Sequence, residues 1–187
     1  GYVNVEWFPN VREESLCKTS MNYTKRFVFI SHVRESKGVD IVLNAKQLLG
    51  TDYTVDIFGP IMESKYTSEY FFKCGVSYKG VLVPQEVTET LAKYDVLLLP
   101  TFWEGEGYPG IILEALSVGV PVIATEWGGI PEIIESGKNG FLIEPHNIEQ
   151  LKSAMGAISN DNYRFLSGYA LEAFNVNYNA CIVNQRI

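Results

Sequence analysis

Short runs of apolar residues alternate along this chain with longer stretches whose apolar positions recur every three or four residues. The short runs are Phe27–Ile30, Thr54–Phe58, Ser77–Lys79, Val96–Leu99, Val122–Ala124 and Gly140–Ile143. Rich in Val, Ile and Leu, they lack the polar alternation of a strand with one wet face. They therefore read as strands covered on both sides, as in parallel sheets. The helical stretches between them are Gly38–Leu49, Ser64–Cys74, Pro84–Lys93, Ile111–Val118, Pro131–Glu135 and Ile148–Ile158. Strand and helix in alternation predict an α/β fold, a doubly wound parallel sheet. No internal repeat and no low-complexity segment interrupts it.

The two ends differ from the middle. Residues 1–25 carry few apolar positions, and Phe8-Pro9-Asn10 has the make-up of a turn. This segment reads as a linker entering a domain at 26–160. The chain starts without Met, so a preceding part is expected. Residues 161–187 are rich in aromatics and Asn and read as one or two helices packed on the outside.

The unusual residues follow the carboxyl ends of the strands. His32 to Gly38 follow the first, Gly59-Pro60 the second and Gly80 the third. Glu104 to Gly110 follow the fourth and Gly128-Gly129-Ile130-Pro131 the fifth. In open α/β sheets the ligand crevice lies outside those ends. Five loops thus converge on one edge.

Charge narrows the ligand. The 187 residues carry a formal net charge of -7, with a sequence pI near 4.9. Nucleic-acid binders carry basic faces, so that class of partner is not expected. A phosphate ligand remains open, because it needs only local charge. The three cysteines, Cys17, Cys74 and Cys181, are odd in number and far apart. They form neither a metal pattern nor a disulfide framework, which suits a reducing compartment. No apolar run is long enough to span a bilayer. No Asp-x-Asp pair and no His/Cys/Asp cluster is present, so no protein-bound catalytic metal is expected. A phosphate-binding Gly-x-x-x-x-Gly-Lys-Ser/Thr loop is likewise absent.

Candidate chemistry concentrates between Asp95 and Thr125. Glu114 is the one charge in an apolar helix, amid Ile111, Ile112, Leu113, Ala115, Leu116 and Val118. The bland account is an acid in a first helical turn, favoured by the helix dipole. The functional account gives it the two hydroxyls of a ribose, because a carboxylate in apolar company needs a partner. Glu106, between Gly105 and Gly107, is either a solvated loop acid or a ligand contact that its glycines let come close. Tyr108-Pro109-Gly110 caps the helix, and the free N–H groups that follow suit a diphosphate as well. Lys37, with Arg34 and His32 nearby, is either a solvated basic turn or the positive charge that a diphosphate leaving group needs. Gly128-Gly129-Ile130-Pro131-Glu132 reads equally as a plain turn or as part of the site.

With these residues in view, the chain resembles the retaining GT-B glycosyltransferases of the large family four, the Glu-x7-Glu group. Glu106-Gly107-Tyr108-Pro109-Gly110-Ile111-Ile112-Leu113-Glu114-Ala115 carries the signature. Phe27 to Ile30 with Lys37-Gly38, then Gly59-Pro60 and Tyr78-Lys79-Gly80, match further landmarks. So do Asp95 to Pro100, Gly119 to Ala124, Gly128 to Glu132 and Gly137 to Leu142. The similarity covers about residues 25–158 and concerns only the second, Rossmann-like, donor-binding half of that two-domain fold. Residues 1–25 would then come from a missing N-terminal acceptor-binding domain.

The resemblance implies retaining transfer of a sugar from a nucleotide diphosphate-sugar to an acceptor saccharide or lipid-linked glycan, in polysaccharide or glycoconjugate synthesis. It implies metal-independent, front-face chemistry with no cofactor. Glu106 would position the donor sugar, and Lys37 would hold the diphosphate. Glu114 would hold the ribose. Gly107, Tyr108, Pro109, Gly110 and Ile111 would meet sugar and phosphates through their backbone, and Gly59, Lys79 and Val81 complete the donor-binding set. The family's usual Gly-Arg after the first strand is Ser31-His32 here. Imidazole carries little charge near pH 7, so His32 or Arg34 would stand in for that arginine. A cytoplasmic location is implied, with any peripheral membrane contact left to the missing domain. The chain alone is expected to bind donor without efficient turnover. Two alternatives stand beside it: a non-catalytic nucleotide-sugar-binding subunit, and a nucleotide-sugar 2-epimerase of the same fold, against which the Glu-x7-Glu segment and the Gly128 to Glu132 turn argue.

Overall fold

The computed structural model describes residues 10–183. Six strands, β1 (Arg26–Ile30), β2 (Thr54–Phe58), β3 (Ser77–Tyr78), β4 (Val96–Leu99), β5 (Val122–Thr125) and β6 (Gly140–Ile143), form one sheet. Their order is β3-β2-β1-β4-β5-β6, and every neighbouring pair is parallel. The helices are α1 (Val39–Gln47), α2 (Ser68–Lys73), α3 (Val87–Leu91), α4 (Gly110–Ser117), α5 (Ile148–Ala157), α6 (Asn160–Asn177) and α7 (Ala180–Val183).

Both faces of the sheet are buried, which explains the unbroken apolar runs. Phe27, Phe29 and Leu98 point to a core shared with Val42 of α1 and with Leu151 and Met155 of α5. Their neighbours Val28, Leu97 and Leu99 point the other way, against Ile112 and Leu116 of α4 and Phe174 of α6. Two-residue periodicity thus serves two cores at once. Strand order reverses between β1 and β4, the place in such a sheet where a ligand crevice forms outside the carboxyl ends of the strands.

Several sequence expectations need adjustment. The helix expected at Pro131–Glu135 is only a 3-10 turn, Ile130–Glu132, which ends as the chain turns into Ser136 and β6. The helix expected over Ser64–Cys74 starts at Ser68, where the Thr67 hydroxyl accepts the Tyr70 N–H at 3.1 Å and caps it. Pro84–Lys93 divides into a 3-10 turn, Pro84–Glu86, and α3.

The expected outer helices of the tail form as α6 and α7. Helix α6 starts where Ser159 N–H meets Asn162 Oδ1 at 2.9 Å and Asn162 Nδ2 meets the Ala157 carbonyl at 2.7 Å. Phe8 and Pro9 of the expected turn lie outside the described residues. Within the entering segment, Arg12, Lys18, Thr19 and Thr24 bond to the domain. The Thr19 N–H bonds to the Val118 carbonyl at 2.8 Å and its hydroxyl to the Tyr94 carbonyl at 2.9 Å. The polar look of this stretch conceals two anchors, Thr19 and Tyr23, both buried.

Candidate donor site at the sheet crevice

Two loops meet in the crevice because glycine lets them. Gly38, with φ 81°, presses against the Pro100 carbonyl so closely that a Cβ there would collide with it. The Phe102 N–H bonds to the Ser36 carbonyl across the same gap, at 2.9 Å. The loop after β1 and the loop after β4 are therefore fastened together. Lys37, at the end of the first, reaches Glu106 in the second. Nζ lies 2.6 Å from Oε2, and both side chains are 9% exposed. Lys37 Nζ also stands 4.0 Å from the ring centre of Trp103, a cation–π contact.

A second buttress holds the Glu106 loop from behind. A Cβ on Gly128, φ 54°, would collide with the Glu106 carbonyl, and Gly129 N–H bonds to the Gly107 carbonyl at 3.0 Å. Trp127 Nε1 donates to the Trp103 carbonyl at 2.8 Å. Gly128 and Gly129 form a turn in direct contact with the loop that carries Glu106.

Glu114 lies one turn beyond Gly110, on the same face of α4. It is not enclosed by apolar groups, since its side chain is 26% exposed, and it has a partner that the sequence did not single out. Arg12 Nε lies 3.2 Å from Glu114 Oε1. The same guanidinium lies so close over Gly110 that a Cβ there would strike it. Arg12 is held in turn by the other end of the chain. Its N–H bonds to the Tyr178 carbonyl at 3.0 Å, and its carbonyl accepts the Ala180 N–H at 2.9 Å. Pro109 stands at the cap of α4 rather than inside its first turn. Tyr108 donates its hydroxyl to that of Tyr178 at 3.2 Å, and burial pushes the Tyr108 phenol well above its usual range.

The remaining candidates lie around the same edge. Neither His32, exposed, nor Arg34, half-buried, makes a side-chain hydrogen bond or ion pair with a described residue. Gly59 abuts the Ser31 carbonyl and donates its N–H to the Gly80 carbonyl at 2.8 Å. Lys79 lies 3.7 Å from Asp56, and Val81 is exposed. The structure thus joins Lys37 to Glu106 directly, and joins Glu114 to Arg12 rather than to another of the expected residues. Sequence reasoning missed Arg12 and also Thr101, whose hydroxyl bonds Glu106 Oε2 at 2.8 Å. Arg12 stood in an unpatterned polar stretch, and nothing local marked it. Thr101 follows the Pro that ends β4, a position at the ligand edge that was a usable signal. Among the described residues no three His, Cys, Asp or Glu gather as a metal-ligand set. Nor is any described helix long and apolar enough to cross a membrane.

Comparison with known proteins identifies the family and the fold. Residues 24–161 match the family model described as Glycosyl transferases group 1. The amylovoran biosynthesis glycosyltransferase AmsK of Erwinia amylovora is 25% identical over 153 residues, covering 76% of this chain and 38% of that protein. The sulfoquinovosyl transferase of Arabidopsis thaliana is 36% identical over 87 residues, 45% of this chain and 17% of that protein. The chain spans about two-fifths of the length of the curated relatives it matches, 39%, 43% and 38% for three of them. Among solved structures, HepE of Anabaena in complex with UDP and glucose superposes with a TM-score of 0.75 at 21% identity, over 87% of this chain and 46% of that one. The C-terminal domain of a glycosyl transferase group 1 protein (LpcC) of Francisella tularensis gives 0.74 at 18% identity, over 90% of this chain and 96% of that domain. At such identities these structures speak for the fold.

Proposed function

The chain belongs to the group 1 glycosyl transferases, and from that premise we propose that it is the donor-binding domain of a retaining sugar transferase. It takes a nucleotide diphosphate-sugar and acts in polysaccharide or glycoconjugate synthesis with an acceptor-binding domain outside this chain. The observation that carries the reading is the Lys37–Glu106 pair, nearly buried where the strand order reverses. Two charges withdrawn from water add little net stability. Their place at the ligand edge of the sheet is better explained by a ligand that uses both.

In this reading Lys37 is drawn toward the diphosphate oxygens and stabilises the negative charge that develops on that leaving group. Glu106 accepts hydroxyls of the sugar and orients its anomeric carbon without attacking it. Glu114 accepts the ribose hydroxyls through the oxygen that Arg12 leaves open, or after Arg12 moves aside. The free N–H groups at the start of α4 face the phosphates. The donor is bound without a metal. A non-catalytic binding subunit would share all these contacts, and turnover by the full-length protein separates the two.

The test is calorimetry with a nucleotide diphosphate and its matching nucleotide sugar. Glu114→Gln removes a charged acceptor, worth roughly 1.5–3 kcal/mol. Binding of the bare nucleotide is expected to weaken about tenfold or more. Glu106→Gln is expected to leave bare nucleotide binding nearly intact and to lower affinity only for the nucleotide sugar. Equal loss of bare nucleotide binding in both variants defeats the division of roles.

A further inference from the structure

Glu106 is gripped from two sides at a single oxygen. Lys37 Nζ and Thr101 Oγ1 both meet Oε2, at 2.6 and 2.8 Å, and no described residue donates to Oε1. We propose that Thr101 is a positioning residue for Glu106, fixing the carboxylate so that Oε1 is presented to a hydroxyl of the donor sugar. The inference rests on the reading of Glu106 given above and goes beyond it in naming what holds the acid during binding.

Thr101 is built for that task. It is fully buried, directly after Pro100 at the ligand end of β4. Its side chain is β-branched and therefore stiff. Its carbonyl accepts the hydroxyl of Thr125, which ties the residue to β5. Its own hydroxyl has one proton to give. The Ser36 carbonyl lies 3.4 Å away and the Glu106 carboxylate 2.8 Å. The charged and nearer acceptor takes the proton, because hydrogen bonds to an ionised group are the stronger ones. A lone pair is left for the Trp103 N–H, at 3.3 Å.

The need for this second grip follows from the first. Lys37 is the only other described group that bonds the carboxylate, and it is the same group that an incoming diphosphate attracts. A carboxylate held by Lys37 alone is free to turn as soon as the lysine is shared with phosphate. A carboxylate held also by an uncharged, immobile hydroxyl is not. Thr101 therefore acts when the nucleotide sugar is bound, and contributes little to the bare nucleotide.

The test compares Thr101→Val, which keeps the shape and loses the hydroxyl, with Thr101→Ser, which keeps the hydroxyl. The 187-residue chain is titrated with UDP and UDP-glucose and with GDP and GDP-mannose, using the pair whose sugar adds affinity to the wild type. Thr101→Val is expected to bind the bare nucleotide as the wild type does and to lose most of the sugar's added affinity, about tenfold for a bond to a charged group. Thr101→Ser is expected to restore it. In a Glu106→Gln background, Thr101→Val is expected to change the ratio no further, because the two act as one unit. An unchanged ratio in Thr101→Val, or an equal loss for nucleotide and nucleotide sugar, overturns the inference and leaves Glu106 as a sugar ligand standing. If no sugar adds affinity to the wild type, the reading of Glu106 itself fails, and the inference falls with it.

Discussion

At the scale of single residues, charge is distributed unevenly around the crevice. Lys37 is committed to Glu106 and Arg12 to Glu114, whereas Arg34 and His32 have no described partner. If the phosphates lie between the β1 loop and α4, His32 is the position from which one more fixed charge is felt most. His32→Arg is expected to tighten nucleotide diphosphate binding several-fold at low ionic strength. The gain should fade as salt shortens the reach of an exposed charge to roughly a Debye length of 8–10 Å. Calorimetry at two salt concentrations measures it, and an affinity that is the same in both proteins at low salt places His32 away from the phosphates.

At the scale of elements, α6 decides how α4 is held. It packs along α4 and brings Phe174 into the core beneath it, fully buried. Just past the end of α4, Gly119, φ 79°, lies against the side chain of Leu171. Phe174→Ala is expected to cost about 3–5 kcal/mol, by lost burial plus the cavity that remains. Denaturant unfolding should show it as a lower midpoint with an unchanged slope.

The sheet was easy to read from the chain because its strands are buried on both faces. Continuous apolar runs such as Val96–Leu99 have no competing interpretation at that length. The outer layers were harder. The entering segment shows few apolar residues because a hydroxyl and a tyrosine anchor it, and the Ile130–Glu132 turn looks like a helix start that is never continued. At the site, residues adjacent in sequence to glycines were legible. Arg12 was not, since it owes its place to Glu114, 102 residues away, which no local pattern records. Thr101 had only its position after Pro100 at the ligand edge to mark it, because its bond to Glu106 crosses a loop.

At the scale of the whole molecule, the chain's own contacts hold the crevice together. Glycine contacts and backbone bonds fasten its two loops, so binding should act on the folded state as a whole. A UDP- or GDP-type nucleotide at about a hundred times its dissociation constant is expected to stabilise the chain by about 2.7 kcal/mol. For a chain of this size that is a rise in Tm of roughly 5–10 °C. Scanning calorimetry without added divalent metal checks it, and a melt unmoved by every nucleotide diphosphate at millimolar concentration removes the donor site from the crevice.

The backbone bonds between Arg12 and residues 178–180 put the incoming and outgoing ends of the fold side by side. A unit with adjoining ends can be cut out and set into another chain with little disturbance. Here the seam of such a graft runs through the residue that touches Glu114 and Gly110. Strain from a badly fitted junction would reach the ligand edge before it reached the sheet. Nucleotide affinity would then report on the quality of the splice while the melting curve still looked sound.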